Sequence, residues 1–163
     1  MIFFTSDTHF GHKAIIDFCK RPYSSVEEMN EELVKNWNNT VSKGDTVYHL
    51  GDFAFHNHNI FHKLNGKKHL IRGNHDDKKV LELPWSSVQD YKVLQENRKK
   101  FVLFHCPIAD WDDMYKGSIH LHGHVHSKVR AWQMLANSYD VGVDANNFTP
   151  VSMAEILSWQ ILR

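Results

Sequence analysis

At 163 residues the chain has the length of one domain with a substantial core, and a hydrophobic content of 42% excludes a disordered polymer. Lysine plus arginine equals aspartate plus glutamate at 19 each, so no net field draws the chain to nucleic acid or to an anionic membrane. No apolar run is long enough to span a bilayer, no charged segment followed by an apolar stretch opens the chain, and two cysteines, Cys19 and Cys106, make no disulfide framework. The expectation is a cytoplasmic protein with both thiols reduced, folded as a single domain over residues 1–163.

The chain opens with Ile2-Phe3-Phe4-Thr5, a buried-strand candidate that ends in the polar loop Ser6-Asp7-Thr8-His9. Lys13 to Cys19 is a short helix candidate, stopped near Arg21-Pro22 because proline disfavours helix in the residue before it. A stronger helix begins at Ser25, with Glu28 placed as in a capping box, and runs to about Val41. Val26, Met29, Leu33 and Trp37 share one face of it and are assigned to the core. Gly44-Asp45 breaks that helix, and Thr46 to Leu50 is the next strand, ending at Gly51-Asp52. Phe55 to Leu64 reads as a helix, and Lys68 to Ile71 as a third strand ending at Arg72-Gly73-Asn74-His75. Beyond Pro84, Ser87 to Leu94 and Lys100 to His105 read as a hairpin around Glu96-Asn97-Arg98. Trp111 to Gly117 is a loop or short helix, and Ile119 to His122 a strand ending in Gly123-His124-Val125-His126. Ser138 to Asp144 reads as a strand and Ser152 to Trp159 as a short helix, with Ile161-Leu162 as an alternative closing strand. The expected fold class is α/β: a βαβα half and a more β-rich half, folded as a two-sheet α/β sandwich with flanking helices.

Thirteen histidines are many for this length, and imidazole is the commonest metal ligand. Polar clusters recur in order: Asp7-Thr8-His9, Gly51-Asp52, Gly73-Asn74-His75-Asp76, His105, and Gly123-His124-Val125-His126. Ligands of open α/β sheets bind beyond the carboxyl ends of strands, where these clusters fall. In an extended segment residues two apart point the same way, so Asp7 and His9 can meet one ion, as can His124 and His126. The glycines permit sharp turns and close backbone approach. Oxygen and imidazole donors without thiolate suit manganese, iron, zinc, nickel or cobalt.

This ordered set, from residue 7 to residue 126, resembles the calcineurin-like metallophosphoesterase family, and the chain length fits its small bacterial and phage-type members. The resemblance implies that Asp7, His9, Asp52 and His126 hold a first divalent metal, and that Asp52, Asn74, His105 and His124 hold a second, with Asp52 bridging. Two metals about 3.5–4 Å apart are usual for in-line displacement at phosphorus, with a bridging hydroxide as nucleophile. Manganese is the first choice of metal. His75 would then serve as general acid, a role that suits imidazole.

Other residues carry two readings each. His12 either reaches the substrate phosphate, as a similar segment does in small family members, or starts a helix at the surface. His56 lies near where some nucleases of the family carry a histidine that pairs with the acid histidine, but at a different spacing. Asp76 is either an orienter of ligands or an exposed charge. Arg72 faces phosphate or forms an ion pair, and His122 supports a ligand or is buried in its strand. Lys128 and Arg130 are phosphate contacts or solvated charges. Trp111 and Tyr115 wall a cleft or pack in the core. His58 and His62 read as solvated helix residues.

The segment after Asp52, Phe53-Ala54-Phe55-His56, lacks the Asp-Arg pair of the family's protein serine/threonine phosphatases. The expected activity is a phosphodiesterase on small or nucleotide-type substrates. A monoesterase or a nuclease of the same family is the alternative, although the neutral charge balance disfavours nucleic acid. A non-catalytic scaffold, as in one subunit of the retromer coat, is the alternative of another class.

Overall fold

The computed structural model describes residues 1–96, 98–128 and 137–161. Asn97 of the expected hairpin turn, Arg130 and Leu162 lie outside the described residues.

The first strand, β1 (Ile2–Thr5), is buried on both faces because its residues alternate between two cores. Phe3 joins an apolar cluster on the helix side, and Phe4 joins the cluster between the sheets. Strands β2 (Thr46–His49) and β3 (Lys67–Ile71) run parallel to β1 and repeat the division, with Val47 and Leu70 on the helix side and Tyr48 and Ile71 between the sheets. Helices α1 (Lys13–Cys19) and α2 (Val26–Thr40) cover the first sheet through Ile15, Met29, Leu33 and Trp37. Ser25 caps α2 by accepting the Glu28 N–H at 3.1 Å, and the Glu28 carboxylate reaches back to the Ser24 N–H at 2.7 Å.

Strand β4 (Val88–Gln89) extends the first sheet beyond β3, and β9 (Val151–Ser152) joins antiparallel to β1, giving the order β4-β3-β2-β1-β9. The second sheet is ordered β5-β6-β7-β8, from β5 (Tyr91–Glu96), β6 (Lys99–Phe104), β7 (Ile119–His122) and β8 (Ser138–Asp140). The β5–β6 pair is antiparallel, and β6, β7 and β8 are parallel. Phe101, Leu103, Ile119 and Leu121 face the first sheet in the shared core. Helix α4 (Met153–Ile161) adds Met153 and Ile156 to it. The short helix α3 (Lys78–Leu81) starts at Asp77, whose carboxylate accepts the Val80 N–H. Two mixed sheets with flanking helices are thus the architecture the sequence pattern led us to expect.

Several elements differ from expectation. The run Ser87 to Leu94 is two strands, because Val88–Gln89 pair with β3 and Tyr91 onward pair with β6. Asp90, between them, is where the chain changes sheet. Phe55 to Leu64 is not an α-helix: the Phe55 and His56 N–H groups bond to the Phe10 carbonyl, leaving only a tight 3-10 helix over His58–Lys63. Beyond Asp140, a 3-10 helix, Val143–Ala145, replaces the end of the expected strand. Ile161 is helical, so it does not begin a closing strand.

Two histidines serve the core. His49 is fully buried, and its Nε2–H donates to the Thr8 hydroxyl at 3.0 Å while Nδ1 accepts the Gly51 N–H at 3.2 Å. His120 donates from Nδ1 to the Val102 carbonyl at 3.1 Å and accepts the Ile108 N–H at 3.3 Å. Burial pushes His49 down to about 3 and His120 down to about 4. Below the ordinary value of 6.5 the unfolded chain therefore takes up protons that these folded rings refuse. Their contribution is complete above that pH and is lost as pH falls toward about 4, by the order of 3 kcal/mol for each ring. Acid titration of chelator-treated protein, followed by circular dichroism, should show this loss. His120→Asn keeps a donor for Val102 without a titrating ring, and should move the unfolding midpoint about 0.5 unit lower. An unmoved midpoint would rule out His120 as a source of acid sensitivity.

Candidate metal centre

Parallel strands deliver their following loops to one edge, and here β1, β2, β3, β6 and β7 all do so. Asp7 and His9 follow β1, Asp52 follows β2, Asn74 follows β3, His105 follows β6, and His124 and His126 follow β7. Backbone bonds stitch the loops together: Asp7 N–H to Gly51 O at 3.0 Å, His9 N–H to Asp52 O at 3.0 Å, and Gly123 N–H to His105 O at 2.9 Å. The approach is too close for side chains. A methyl on Gly73 would strike the Asp52 carboxylate, and one on Gly123 would strike Ser6 and Asp7. Asp7, His9, Asp52, His124 and His126 all adopt left-handed backbone, with φ of 57°, 49°, 58°, 70° and 48°. Such strain in non-glycine residues persists only where the surroundings fix it, and it concentrates at functional sites.

The donor atoms form two groups that meet at Asp52. On one side His9 Nε2 stands 3.6 Å from Asp52 Oδ2 and 4.0 Å from Asp7 Oδ1, and His126 Nε2 stands 3.9 Å from Asp7 Oδ1. On the other, His105 Nε2 stands 3.5 Å from the same Asp52 Oδ2 and 2.9 Å from Asn74 Oδ1. His124 Nδ1 lies 3.0 Å from Asn74 Oδ1 and 3.3 Å from His105 Nε2. Ligands bound about 2.1 Å from one ion stand roughly 3.0–3.4 Å apart, so the second group matches a shared cation and the first is slightly wider. Asp7 Oδ1 and His9 Nε2 are buried without a hydrogen-bond partner, which is costly unless a cation completes them. The oxygen and imidazole donors therefore fit a divalent metal.

Asp7 and His9 fall in one donor group, but not by way of extended backbone. Neither Asp7-Thr8-His9 nor His124-Val125-His126 is extended. His124 and His126 diverge to opposite groups instead of sharing one ion, because both take left-handed backbone.

Electrostatics follow the burial. Burial pushes Asp7 up to about 6 and His9 down to about 2. Burial also raises Asp52, but the hydrogen bond and charge of His105 and the His75 N–H hold it well below the carboxylate range. His105 donates Nδ1–H to the Leu50 carbonyl at 2.7 Å, which leaves Nε2 free to ligate. His126 Nδ1 meets the Asp144 carboxylate at 2.7 Å. In the sequence Asp144 is only the end of a strand candidate, since no local pattern announces its contact with His126.

Asp76 joins the Asp52 and Gly73 loops. Its carboxylate accepts the N–H groups of Asp52 at 3.0 Å, Phe53 at 2.8 Å and Gly73 at 2.8 Å. His75 is exposed; its N–H donates to Asp52 Oδ1 at 2.9 Å, and its ring centroid lies 5.9 Å from that of His9. His12 stacks on Phe55 at 3.9 Å, with Nδ1 3.4 Å from His9 Nδ1. His56 is exposed, and the buried His122 bonds the neighbouring Gly123 carbonyl. Arg72 pairs with Asp90 at 2.8 Å, beside a cleft of 420 Å³ lined also by Asn74, Phe104 and His105. Trp111 is buried against His120, whereas Tyr115 is exposed and Lys128 bonds the Phe18 carbonyl.

Asp76→Ala would strand the three N–H groups that join the Asp52 and Gly73 loops. Chemical denaturation should show a loss of about 2–4 kcal/mol, with Asp76→Asn intermediate. A loss below about 0.5 kcal/mol would remove Asp76 from this role.

Comparison with known proteins agrees with this geometry. The calcineurin-like phosphoesterase superfamily domain matches residues 1–138. An uncharacterized protein of Methanocaldococcus jannaschii is 38% identical over 162 residues, covering 93% of this chain and 86% of that protein. The gene 66 protein of Mycobacterium phage L5 is 28% identical over 87% of this chain and 86% of its own length. The crystal structure of a protein of unknown function from Aquifex aeolicus superposes with a TM-score of 0.82 at 27% identity, covering 98% of each chain. With most of its length inside the matched domain, the chain belongs to the calcineurin-like phosphoesterase superfamily.

Proposed function

We propose that the chain hydrolyses small or nucleotide-type phosphodiesters with two divalent cations, manganese foremost, and His75 as general acid. The observation that carries this reading is the Asp52 carboxylate, flanked by His9 at 3.6 Å and His105 at 3.5 Å, with a separate donor group behind each histidine. Asp7, His9, Asp52 and His126 would hold one cation, and Asp52, Asn74, His105 and His124 the other. When bound, the pair would neutralise phosphoryl oxygens and lower the pKa of a water from about 15.7 toward about 7.

The chain's own residues supply the rest. His75 is tethered to Asp52 through its backbone N–H, and its ring, 5.9 Å from that of His9, is not among the proposed ligands. As water displaces the leaving alcohol at phosphorus, the ring proton passes to the departing oxygen. The cleft beside Asn74 and His105 gives that alcohol a place. A diester carries one negative charge and a monoester two. Arg21 and Arg72, the guanidiniums that the described residues bring near this edge, are already paired with Asp144 and Asp90. The extra charge of a monoester therefore lacks a ready partner among them. The two unpaired thiols fit a cytoplasmic setting.

Manganese-loaded protein should hydrolyse bis-p-nitrophenyl phosphate at least about tenfold faster than p-nitrophenyl phosphate, one order of magnitude being about 1.4 kcal/mol in barrier. Chelation should abolish both activities. The reverse preference would make the chain a monoesterase, and silence on both with metal bound would favour a scaffold.

His75→Ala should keep its metal content and lose about 10²–10⁴-fold in turnover of a diester with an alkoxide leaving group. The loss should be much smaller for nitrophenyl esters, whose leaving group departs without a proton. Equal losses on both substrates, or loss of metal, would refute the acid role.

A further inference from the structure

On the two-cation reading above, the Asp7–His9–His126 group rests on contacts that no ligand motif contains. The Arg21 side chain is entirely buried. It meets Asp144 as a fork, Nε to Oδ1 and Nη2 to Oδ2, each at 2.8 Å. Two further donors reach the loop of the proposed ligands, Nη2 to the Asp7 carbonyl at 2.7 Å and Nη1 to the Thr8 carbonyl at 3.1 Å, and Nη1 also meets Met29 Sδ at 3.5 Å. Asp144 Oδ2 also accepts Nδ1–H of His126 at 2.7 Å, so the ring's Nε2 is the atom left facing Asp7. The contact runs unbroken from the backbone of Asp7, through Arg21 and Asp144, to His126.

We infer that Arg21 and Asp144 are positioning residues for one cation of the pair: Asp144 fixes the tautomer and rotation of His126, and Arg21 locks Asp144 to the Asp7 loop. An ion pair that only held the fold together would have no reason to end on a candidate ligand at one side and on ligand-loop carbonyls at the other. The effect is one-sided. In the other group, His105 is held by the Leu50 carbonyl, and among the described residues neither Arg21 nor Asp144 bonds the side chains of His105, Asn74 or His124; Asp7 meets that group through the backbone N–H of His124, not through its ring. Lysine would preserve the charge of Arg21 but not its fork, and asparagine at Asp144 cannot serve Arg21 and His126 equally.

The test is a titration of metal-free protein with Mn²⁺ alone, with bound equivalents counted by elemental analysis and the spin state followed by electron paramagnetic resonance. Wild-type protein should take up two equivalents and show a spin-coupled signal. Arg21→Lys and Asp144→Asn should weaken one equivalent by about 10–100-fold and leave the other unchanged. At intermediate Mn²⁺ they should show an uncoupled mononuclear signal, as should His126→Ala. The double variant Asp144→Asn/His126→Ala should be no weaker than His126→Ala alone, because both act through one ring. A simple loss of packing would lower stability without selecting one equivalent. If Arg21→Lys fails to fold, Asp144→Asn carries the test. Wild-type affinity for both equivalents in Asp144→Asn, or equal weakening of both, overturns the inference. Uptake of fewer than two equivalents by the wild type overturns the two-cation reading beneath it.

Discussion

Two carboxylates, Asp7 and Asp52, lie out of solvent at the edge where two sheets meet, and the described residues compensate them unequally. Asp52 receives the His75 N–H and the influence of His105, which outweigh its burial. Asp7 receives the His124 N–H on one oxygen, while its other oxygen has no hydrogen-bond partner and burial raises its pKa to about 6. The Arg21 guanidinium is directed to the Asp7 carbonyl and to Asp144, not to the Asp7 carboxylate. A buried anion left so incompletely matched is expensive. A divalent cation between Asp7, His9 and Asp52 would remove that expense, and most of the surrounding structure makes sense as support for such an ion.

That support is rigid. Asp7, His9, Asp52, His124 and His126, held in left-handed backbone, do not relax easily, because the loops that carry them pack without room for a methyl group at Gly51, Gly73 or Gly123. Asp76 ties two of these loops by their N–H groups, and Thr8 joins the first to His49 and to the Phe53 carbonyl. The cost of bringing negative charges together is thus borne in the folded scaffold. Little reorganisation remains for the moment when substrate arrives.

The sequence disclosed these residues in proportion to how local their signals were. Asp7, Asp52, Asn74 and His124 stand at strand ends in short polar clusters, so a window of a few residues reveals them. The alternation of Phe3 and Phe4, or the apolar face of Met29, Leu33 and Trp37, is equally local and placed the strand and the helix well. Arg21 and Asp144 are separated by 123 positions, and each carries an ordinary local reading, a helix stop and a strand end. Asp90 divides an unbroken β-rich run because tertiary pairing, not propensity, decides which sheet each half joins. His49 and His120 looked like two more members of a histidine-rich chain, and only their partners reveal neutral core rings.

The two donor groups also differ in access. Asp7 and His9 are buried, whereas Asn74 and His124 are exposed beside the cleft that runs past Arg72 and Phe104. On the proposed reading, a phosphate approaching this edge would meet the Asn74–His105–His124 side first, with the leaving group along the cleft and the Asp7–His9–His126 side behind. His75 follows Asn74 directly and is tied to Asp52, the carboxylate shared by the two groups. On the proposed mechanism, the acid histidine and the shared carboxylate would thus be mechanically one unit. A shift in Asp52 would move the proton donor with it, keeping the donor aligned with the site it serves.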